Sequence, residues 1–160
     1  MIDFFFSSCL HEIFIHKTYG EKYQNLRVLD IGAHKGESTL YFLLQGAKAV
    51  AAVEPFPDFV EKIRERIGQN HFQDRVLLIP VAIGGKNGTA GFTYLPDAPE
   101  CSFLNPEQGG RIQVRTITFD ALLSEIGWEE VDVAKVDCEG CEYELFSMLL
   151  TRHSPKSGCG

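Results

Sequence analysis

The chain has 160 residues, 44% of them hydrophobic, which suffices for one domain with a buried core. Its 15 basic and 22 acidic residues give a formal net charge of −7, and lysines and arginines do not cluster in any run. This balance argues against a nucleic-acid partner, because binding nucleic acid needs a basic face.

The first segment, residues 1–26, is predicted to be a lead-in that packs on the domain. Its apolar stretch, residues 4–6, is too short to cross a membrane. Asp3 and the lack of a basic start also make it a poor signal peptide. We therefore expect a cytoplasmic protein without a membrane partner.

A glycine turn follows the first predicted strand. The strand covers residues 27–32, and a helical pattern occupies residues 36–46. Gly32 and Gly36 allow a tight turn whose backbone can approach a small molecule, because glycine has no Cβ. Alternatively, the two glycines only shape the connection between the strand and the helix.

The second predicted strand, residues 48–54, ends in an acid. In doubly wound sheets an acid at this point holds a nucleotide ribose, so Glu54 is a candidate ribose ligand. The turn lacks the G-x-G-x-x-G spacing of a dinucleotide site, since His34 replaces the middle glycine. Asp30 would repel phosphates and suit a positively charged ligand. The pattern favours S-adenosylmethionine, which carries a ribose, an ammonium and a sulfonium but no phosphate.

Helices and strands continue to alternate along the chain. The predicted elements are a helix over 58–69 capped by Asp58, strands over 75–81 and 91–95, a loop over 96–110, a strand over 112–117, a helix over 119–127, a fourth main strand over 131–137 and a helix over 141–150. Residues 151–160 are expected to be a disordered tail. This order predicts an α/β fold with a mostly parallel sheet and helices on both faces.

Acidic residues follow the fourth main strand. Asp137, Glu139 and Glu142 come at its carboxyl end, which faces the ligand crevice in open α/β sheets. These carboxylates would repel one another unless a cationic ligand, a metal ion or a proton compensates. Acids at a helix start can also serve only to stabilise that helix. Lys135 is interpreted as a side chain that extends toward solvent.

The five cysteines have no spacing typical of a disulfide framework. Cys138 and Cys141 form the one close pair, and no second pair or suitably spaced histidines indicate zinc. Their position after a strand is compatible with a redox pair. The favoured interpretation is that two small buried thiols pack there, and no metal site is predicted.

Five motifs occur in a familiar order. They are the segments 28–37, 53–55, 81–84, 114–120 and 135–142. Together they resemble the FkbM family of S-adenosylmethionine-dependent methyltransferases over about residues 11–150. The resemblance implies a Rossmann-like class I methyltransferase fold, a three-layer sandwich with strand order 3-2-1-4. It also implies O-methylation of a hydroxyl on a sugar or another small molecule.

The resemblance assigns roles to individual residues. Asp137 is the first candidate for the general base and Glu139 the second. Glu54 is expected to accept both ribose hydroxyls, and Phe56 either covers the adenine or belongs to the core. The expected cofactor-binding residues are Asp30, Gly32, Ala33, His34, Gly36, Ser38, Glu54, Pro55, Phe56, Ala82 and Ile83. His34 stands where such sequences usually have Asn.

Sheets of this family continue with about three more strands, so residues 27–150 are expected to form an incomplete methyltransferase domain. The fourth main strand would then be an exposed edge that a second copy of the chain could cover. Three functions stay open. They are an active small-molecule O-methyltransferase, a cofactor-binding fragment without catalysis, and a nucleotide-dependent oxidoreductase, which the missing G-x-G-x-x-G disfavours.

Overall fold

The computed structural model describes residues 22–94 and 110–138. The strands in this part of the chain are β1 (Arg27–Ile31), β2 (Ala49–Val53), β3 (Val76–Ile79), β4 (Ala82–Ile83), β5 (Gly88–Tyr94), β6 (Gly110–Ile117) and β7 (Val133–Val136). The α-helices are α1 (Glu37–Leu44), α2 (Pro57–Gln69) and α3 (Phe119–Ile126). The alternation of strands and helices follows the predicted order.

The main sheet has the strand order β3-β2-β1-β7, and all of its described pairs are parallel. β1 lies between β2 and β7, so both of its backbone edges are paired, and its residues Val28 and Leu29 are fully buried. This confirms the predicted order 3-2-1-4, with β7 as the fourth main strand. The carboxyl ends of all four strands therefore meet at one edge of the sheet.

Helices cover both faces of the main sheet. Val28 packs in one core cluster with side chains of α1, and Ala52, on the same face, packs with Ile63 of α2. Leu29, the next residue of β1, points the other way and packs with Leu122 of α3. Neighbouring residues of a strand face opposite sides, so this alternation buries both faces and gives the predicted three layers.

The third predicted strand is shorter in the structure. Residues 75–81 were expected to form one strand, but β3 ends at Ile79 and β4 begins at Ala82. Pro80 has no N–H to donate to a neighbouring strand, and the N–H of Val81 turns back to the carbonyl of Ile79 at 3.0 Å. After this break β4 joins a second sheet of order β4-β6-β5, in which β5 and β6 are antiparallel.

The start of α2 also differs from the prediction. Phe56, not Asp58, is the N-cap residue, and Pro57 is the first helical residue. Proline suits this position because its φ is preset for a helix and the N–H that it lacks would have no helical partner. Asp58 instead lies in the first turn, where its negative charge favours the helix dipole.

Several predicted features lie outside the described residues. They are residues 1–21 of the lead-in, nearly all of the loop 96–110, the helix over 141–150, the tail, and Glu139. The end of the lead-in does pack on the domain, because Tyr23 is buried with its ring 4.8 Å from that of Phe42. Within residues 22–94 and 110–138, the helices are too short or too polar to cross a membrane.

Candidate functional site

The turn between β1 and α1 lies at the carboxyl edge of the main sheet. Gly32, His34 and Gly36 all have positive φ angles, of 76°, 52° and 88°. A Cβ on Gly32 would overlap the carbonyl oxygen of Asp137, which follows β7. A side chain at this position is therefore excluded by space as well as by φ. The result is a backbone turn held tightly against the end of β7.

The same turn is fixed to the neighbouring strand β2. The N–H groups of Gly32 and Ala33 both donate to the carbonyl of Val53, at 3.0 and 3.1 Å. The N–H of Gly36 donates to the carbonyl of Ala33 at 2.8 Å and closes the turn. The side chain of Ala33 is buried with that of Ile63. Only the backbone of Ala33 is thus placed to line the turn.

Asp30 lies beneath the turn rather than on its surface. Its side chain is fully buried, and its Oδ2 accepts hydrogen bonds from the hydroxyls of Ser38 and Thr39, both at 2.7 Å. Its Oδ1 lies 3.3 Å from the ammonium of Lys135, without hydrogen-bond geometry. Asp30 and Ser38 were both expected to bind the cofactor. In the structure the two side chains bond to each other and brace the start of α1 from inside, and their role toward a ligand stays a prediction.

Glu54 stands at the end of β2, opposite the turn. Its Oε2 accepts the N–H of His34 at 2.8 Å, and its Oε1 accepts the N–H of Phe56 at 3.0 Å. The side chain is 4% exposed. Burial raises the pKa of Glu54 to about 7, even though both N–H donors oppose the shift. A buried carboxylate oriented by backbone donors can accept hydroxyl groups from a ligand on its remaining lone pairs.

A second buried glutamate, Glu37, opens α1. Its Oε1 lies 2.6 Å from Nη1 of Arg66, and its Oε2 lies 3.7 Å from Nδ1 of His34. Burial alone would raise the pKa of Glu37, but His34 and Arg66 more than offset that effect and lower it to about 2. Arg66 also donates to the carbonyl of Lys35 at 2.7 Å. This ion pair attaches α2 to the turn.

Lys135 connects the turn to the end of β7. Its ammonium donates to the carbonyl of Gly32 at 2.6 Å and also lies 3.9 Å from Oδ2 of Asp137. The side chain of Lys135 is 9% exposed, whereas that of Asp137 is 65% exposed. The expectation that Lys135 extends toward solvent is therefore wrong, because Asp30 and the Gly32 carbonyl hold its charge inside. Asp137 is left accessible at the edge of the sheet, as a proton acceptor would need to be.

Aromatic rings line one side of the region next to Glu54. The ring of Phe56 lies 5.8 Å from that of Phe59 and 6.0 Å from that of Phe92, both edge to face. Phe56 is half-buried and so retains an accessible part. Phe92 comes from β5, so the second sheet reaches the site through this contact. The sequence pattern did not indicate Phe92 as a residue of the site.

The remaining predicted cofactor-binding residues lie farther along the same edge. Pro55 is half-buried and connects Glu54 to Phe56. Ala82 and Ile83 are half-buried in β4, which pairs with β6. They follow the point where the N–H of Glu54 donates to the carbonyl of Ile79, at 3.2 Å. Their role toward a ligand stays a prediction.

Cys138 follows Asp137 and does not carry a free thiol. It is disulfide-bonded and packs partly buried against the core cluster of Leu29 and Leu122. The predicted packing is present, but the interpretation as a thiol is wrong for this residue. In the described residues, histidine, cysteine, aspartate and glutamate side chains do not gather in threes as a metal site would need.

Three of the residues that shape the site were missed as such by the sequence interpretation: Glu37, Arg66 and Lys135. The sequence did contain a signal for Lys135. Lys135 lies two residues before Asp137 at the end of one strand, just as Asp30 lies two residues before Gly32 at the end of another. Adjacent parallel strands aligned at their carboxyl ends place such residues side by side, and Asp30 is indeed the register partner of Lys135. Arg66 offered no comparable signal, since it lies among exposed charges of α2.

A parallel α/β sheet whose central strand enters a glycine turn, with an acid at the end of the next strand, is typical of nucleoside-binding domains. The parallel order β3-β2-β1-β7 with helices on both faces is a Rossmann-like fold. A model of the methyltransferase FkbM domain matches residues 30–157. The chain belongs to this family.

Individual relatives match parts of their length. The chain is 30% identical over 138 residues to 2-O-methyltransferase NoeI of Sinorhizobium fredii (strain NBRC 101917 / NGR234), covering 75% of this chain and 56% of NoeI. The chain thus spans about half the length of this curated relative.

Two solved structures show partial similarity. The C-terminal domain of precorrin-6Y C5,15-methyltransferase from Rhodobacter capsulatus is 17% identical, with a TM-score of 0.38 over 82% of this chain and 64% of that one. The Trypanosoma brucei PRMT1 enzyme-prozyme complex with AdoHcy is 26% identical, with a TM-score of 0.34 over 36% of this chain and 18% of that one.

Proposed function

We propose that this protein is an S-adenosylmethionine-dependent methyltransferase that methylates a hydroxyl oxygen of a sugar or another small molecule. Membership of the FkbM methyltransferase family supports the reaction class. The name of the relative NoeI, a 2-O-methyltransferase, supports oxygen as the methyl acceptor. The observation that carries the proposal is the placement of Glu54, buried beside the glycine turn with both oxygens oriented by backbone N–H groups.

The described residues fit this cofactor. Gly32 holds the turn tightly against the end of β7, where the carbonyl oxygen of Asp137 fills the place of a Cβ. Glu54 would accept the two ribose hydroxyls, and Phe56 would border the adenine. The site offers acidic side chains and carbonyl oxygens rather than the bare glycine backbone that receives a pyrophosphate, so a ligand with positive charge is favoured over a dinucleotide.

Asp137 is proposed to take the proton of the acceptor hydroxyl. The bound cofactor would supply an activated sulfonium methyl group, so the chain mainly has to position the acceptor and remove its proton. The carboxylate of Asp137 is exposed, and its backbone N–H donates to the carbonyl of Ile31 at 3.0 Å, which fixes it beside the turn. General-base assistance of this kind is worth roughly 10²–10⁴-fold in rate.

Two measurements test the proposal. Calorimetry should detect binding of S-adenosylhomocysteine and none of NAD; the opposite result would favour the oxidoreductase. A methyl-transfer assay with a panel of mono- and oligosaccharides should then detect a methylated product. The Asp137→Asn variant should lose turnover and retain S-adenosylhomocysteine affinity. Binding without transfer to any hydroxyl in the panel would favour the cofactor-binding fragment, and an equal loss of both properties would make Asp137 a binding residue.

A further inference from the structure

The ammonium of Lys135 occupies an unusual position for a lysine. It is held at 2.6 Å by the carbonyl of Gly32 and lies 3.3 Å from Oδ1 of Asp30. Lysine is almost never buried unless it is paired, and here its side chain is 9% exposed. The turn that was expected to attract a cationic ligand thus already contains a cation from the chain itself.

The oxygens around Lys135 form a binding site for an ammonium group. The carboxylate of Asp30 is fully buried, and its Oδ1 accepts no hydrogen bond from any residue in the described part of the chain. The Gly32 carbonyl is the outermost of these oxygens, because Gly32 is half-buried and lies at the edge of the sheet. One anion and one carbonyl that bind a primary ammonium will bind another of the same kind.

We propose that Lys135 holds the ammonium position of the cofactor site, and that the ammonium of the ligand competes with Lys135 for the Gly32 carbonyl. This inference rests on the proposed function, because it concerns the amino-acid end of S-adenosylmethionine. The ligand gains the Gly32 carbonyl only by displacing the contact that Lys135 makes with it. Lys135 therefore reduces the affinity for the amino-acid end of the ligand.

The structure also provides a second partner for the displaced lysine. Oδ2 of Asp137 lies 3.9 Å from the ammonium, and that carboxylate is exposed. A small movement of the Lys135 side chain would exchange the Gly32 carbonyl for Asp137 while Asp30 stays within reach. Ligand binding would then bring a cation to the proposed base. This makes Lys135 a positioning residue that links the cofactor turn to Asp137.

The first test compares two ligands that share the adenosine end. S-adenosylhomocysteine carries the amino-acid group, whereas 5′-methylthioadenosine lacks it. In Lys135→Met the competing cation is gone and Asp30 is unpaired, so the preference for S-adenosylhomocysteine should rise about tenfold over the wild type. Affinity for 5′-methylthioadenosine should stay within about twofold. The control Lys62→Met, which removes an exposed cation from α2, should change neither affinity.

The change in ligand preference caused by Lys135→Met shows whether Lys135 competes with the ammonium of the ligand. An unchanged preference would overturn the competition, and a reduced one would show that Lys135 binds the carboxylate of the ligand instead. If neither nucleoside binds the wild type, the proposed function fails. The ammonium site is then tested only by the rescue experiment described next.

The second test restores the missing cation. Lys135→Ala removes a propylammonium group and leaves Asp30 buried without its cation, so the variant should be strongly destabilised. Propylammonium chloride should raise its melting temperature in a saturable way, because a ligand that binds only the folded state stabilises it. Propanol and tetramethylammonium chloride, which lack either the charge or the N–H groups, should give no larger shift than in the wild type. Equal effects of all three, or a variant unfolded at every propylammonium concentration, would overturn the proposed ammonium site.

Discussion

Glu37 and Glu54 are buried to nearly the same extent, 3% and 4% exposed, on two sides of one glycine turn. Their electrostatic surroundings are opposite. Glu37 has the guanidinium of Arg66 at 2.6 Å, and its pKa is lowered to about 2. Glu54 has two backbone N–H donors, and burial raises its pKa to about 7. In the described residues no cation lies within ion-pair distance of Glu54.

This difference separates a structural carboxylate from one that is arranged for a ligand. The charge of Glu37 is compensated inside the protein, and its contacts join α1, α2 and the turn. The charge of Glu54 is only partly compensated, so added hydrogen-bond donors would stabilise its ionised form. Ribose hydroxyls are such donors. Removing Glu37 or its partner should therefore affect stability, whereas removing Glu54 should affect binding.

The largest expected effect comes from separating the Glu37 pair. Arg66→Met leaves a buried carboxylate without its cation and should lower the free energy of unfolding by about 3 kcal/mol. The matched control is Arg64→Met on the same helix, because Arg64 pairs with Glu61 at the exposed surface. That control should cost no more than about 0.5 kcal/mol. Urea denaturation of both variants measures the contrast, and equal losses would contradict it.

The next effect concerns binding. Glu54→Ala should weaken S-adenosylhomocysteine binding by about 1–3 kcal/mol, since charge-assisted hydrogen bonds to the ribose are lost. Its unfolding free energy should fall less than that of Arg66→Met, because no ion pair is broken. Calorimetry measures the affinity, with Glu61→Ala as a control for an exposed glutamate. Unchanged affinity would remove Glu54 from the site.

The pH dependence of stability should distinguish the two glutamates with opposite signs. The raised pKa of Glu54 gives a contribution that is complete below about pH 4.5 and is lost as the pH rises through about 7. Glu54→Gln should therefore gain roughly 2–3 kcal/mol relative to the wild type between pH 5 and 8.

Glu37 should behave in the reverse way. Its lowered pKa gives stability that is present above about pH 4.5 and is lost as the pH falls toward about 2. The penalty of Glu37→Gln should hence be largest near neutrality and shrink in acid. Unfolding curves of both glutamine variants from pH 3 to 8 provide the measurement, and parallel profiles would show that the two environments do not differ.

The main sheet could be predicted from sequence because its strands and turns are each recognisable from a short stretch of neighbouring residues. Each strand is a short apolar run, and the turns after β1, α1 and β2 carry a glycine or a proline, so β1, β2 and β7 and the helices between them follow from periodicity. The second sheet could not be predicted in this way. Its formation depends on Pro80 ending β3 and on the pairing of β5 with β6 across residues 95–109, and such pairing leaves little trace in a local pattern.

The site was predictable only in part, for a related reason. Gly32 and Glu54 were identified because turns and strand ends have recognisable residues. The partners of Asp30 could not be inferred, since Lys135 and the hydroxyls of Ser38 and Thr39 converge on it from other elements. A sequence shows which charges are present, but the partner that neutralises each one is decided by packing.

Substitution of His34 should have the smallest effect, and it distinguishes most clearly between the roles of Glu37 and Glu54, because His34 contacts both. Its backbone N–H donates to Glu54, and its ring lies 3.7 Å from Glu37 and packs on Phe59. Its φ of 52° is also adopted readily by Asn. In His34→Asn the Glu54 contact should persist, so S-adenosylhomocysteine affinity should stay within about twofold, while stability falls by about 0.5 kcal/mol through the loss at Glu37. A large loss of affinity with unchanged stability would mean that the imidazole of His34 itself contacts the ligand. The ring of His34 would then serve binding, as Glu54 does, and not the structural role of Glu37.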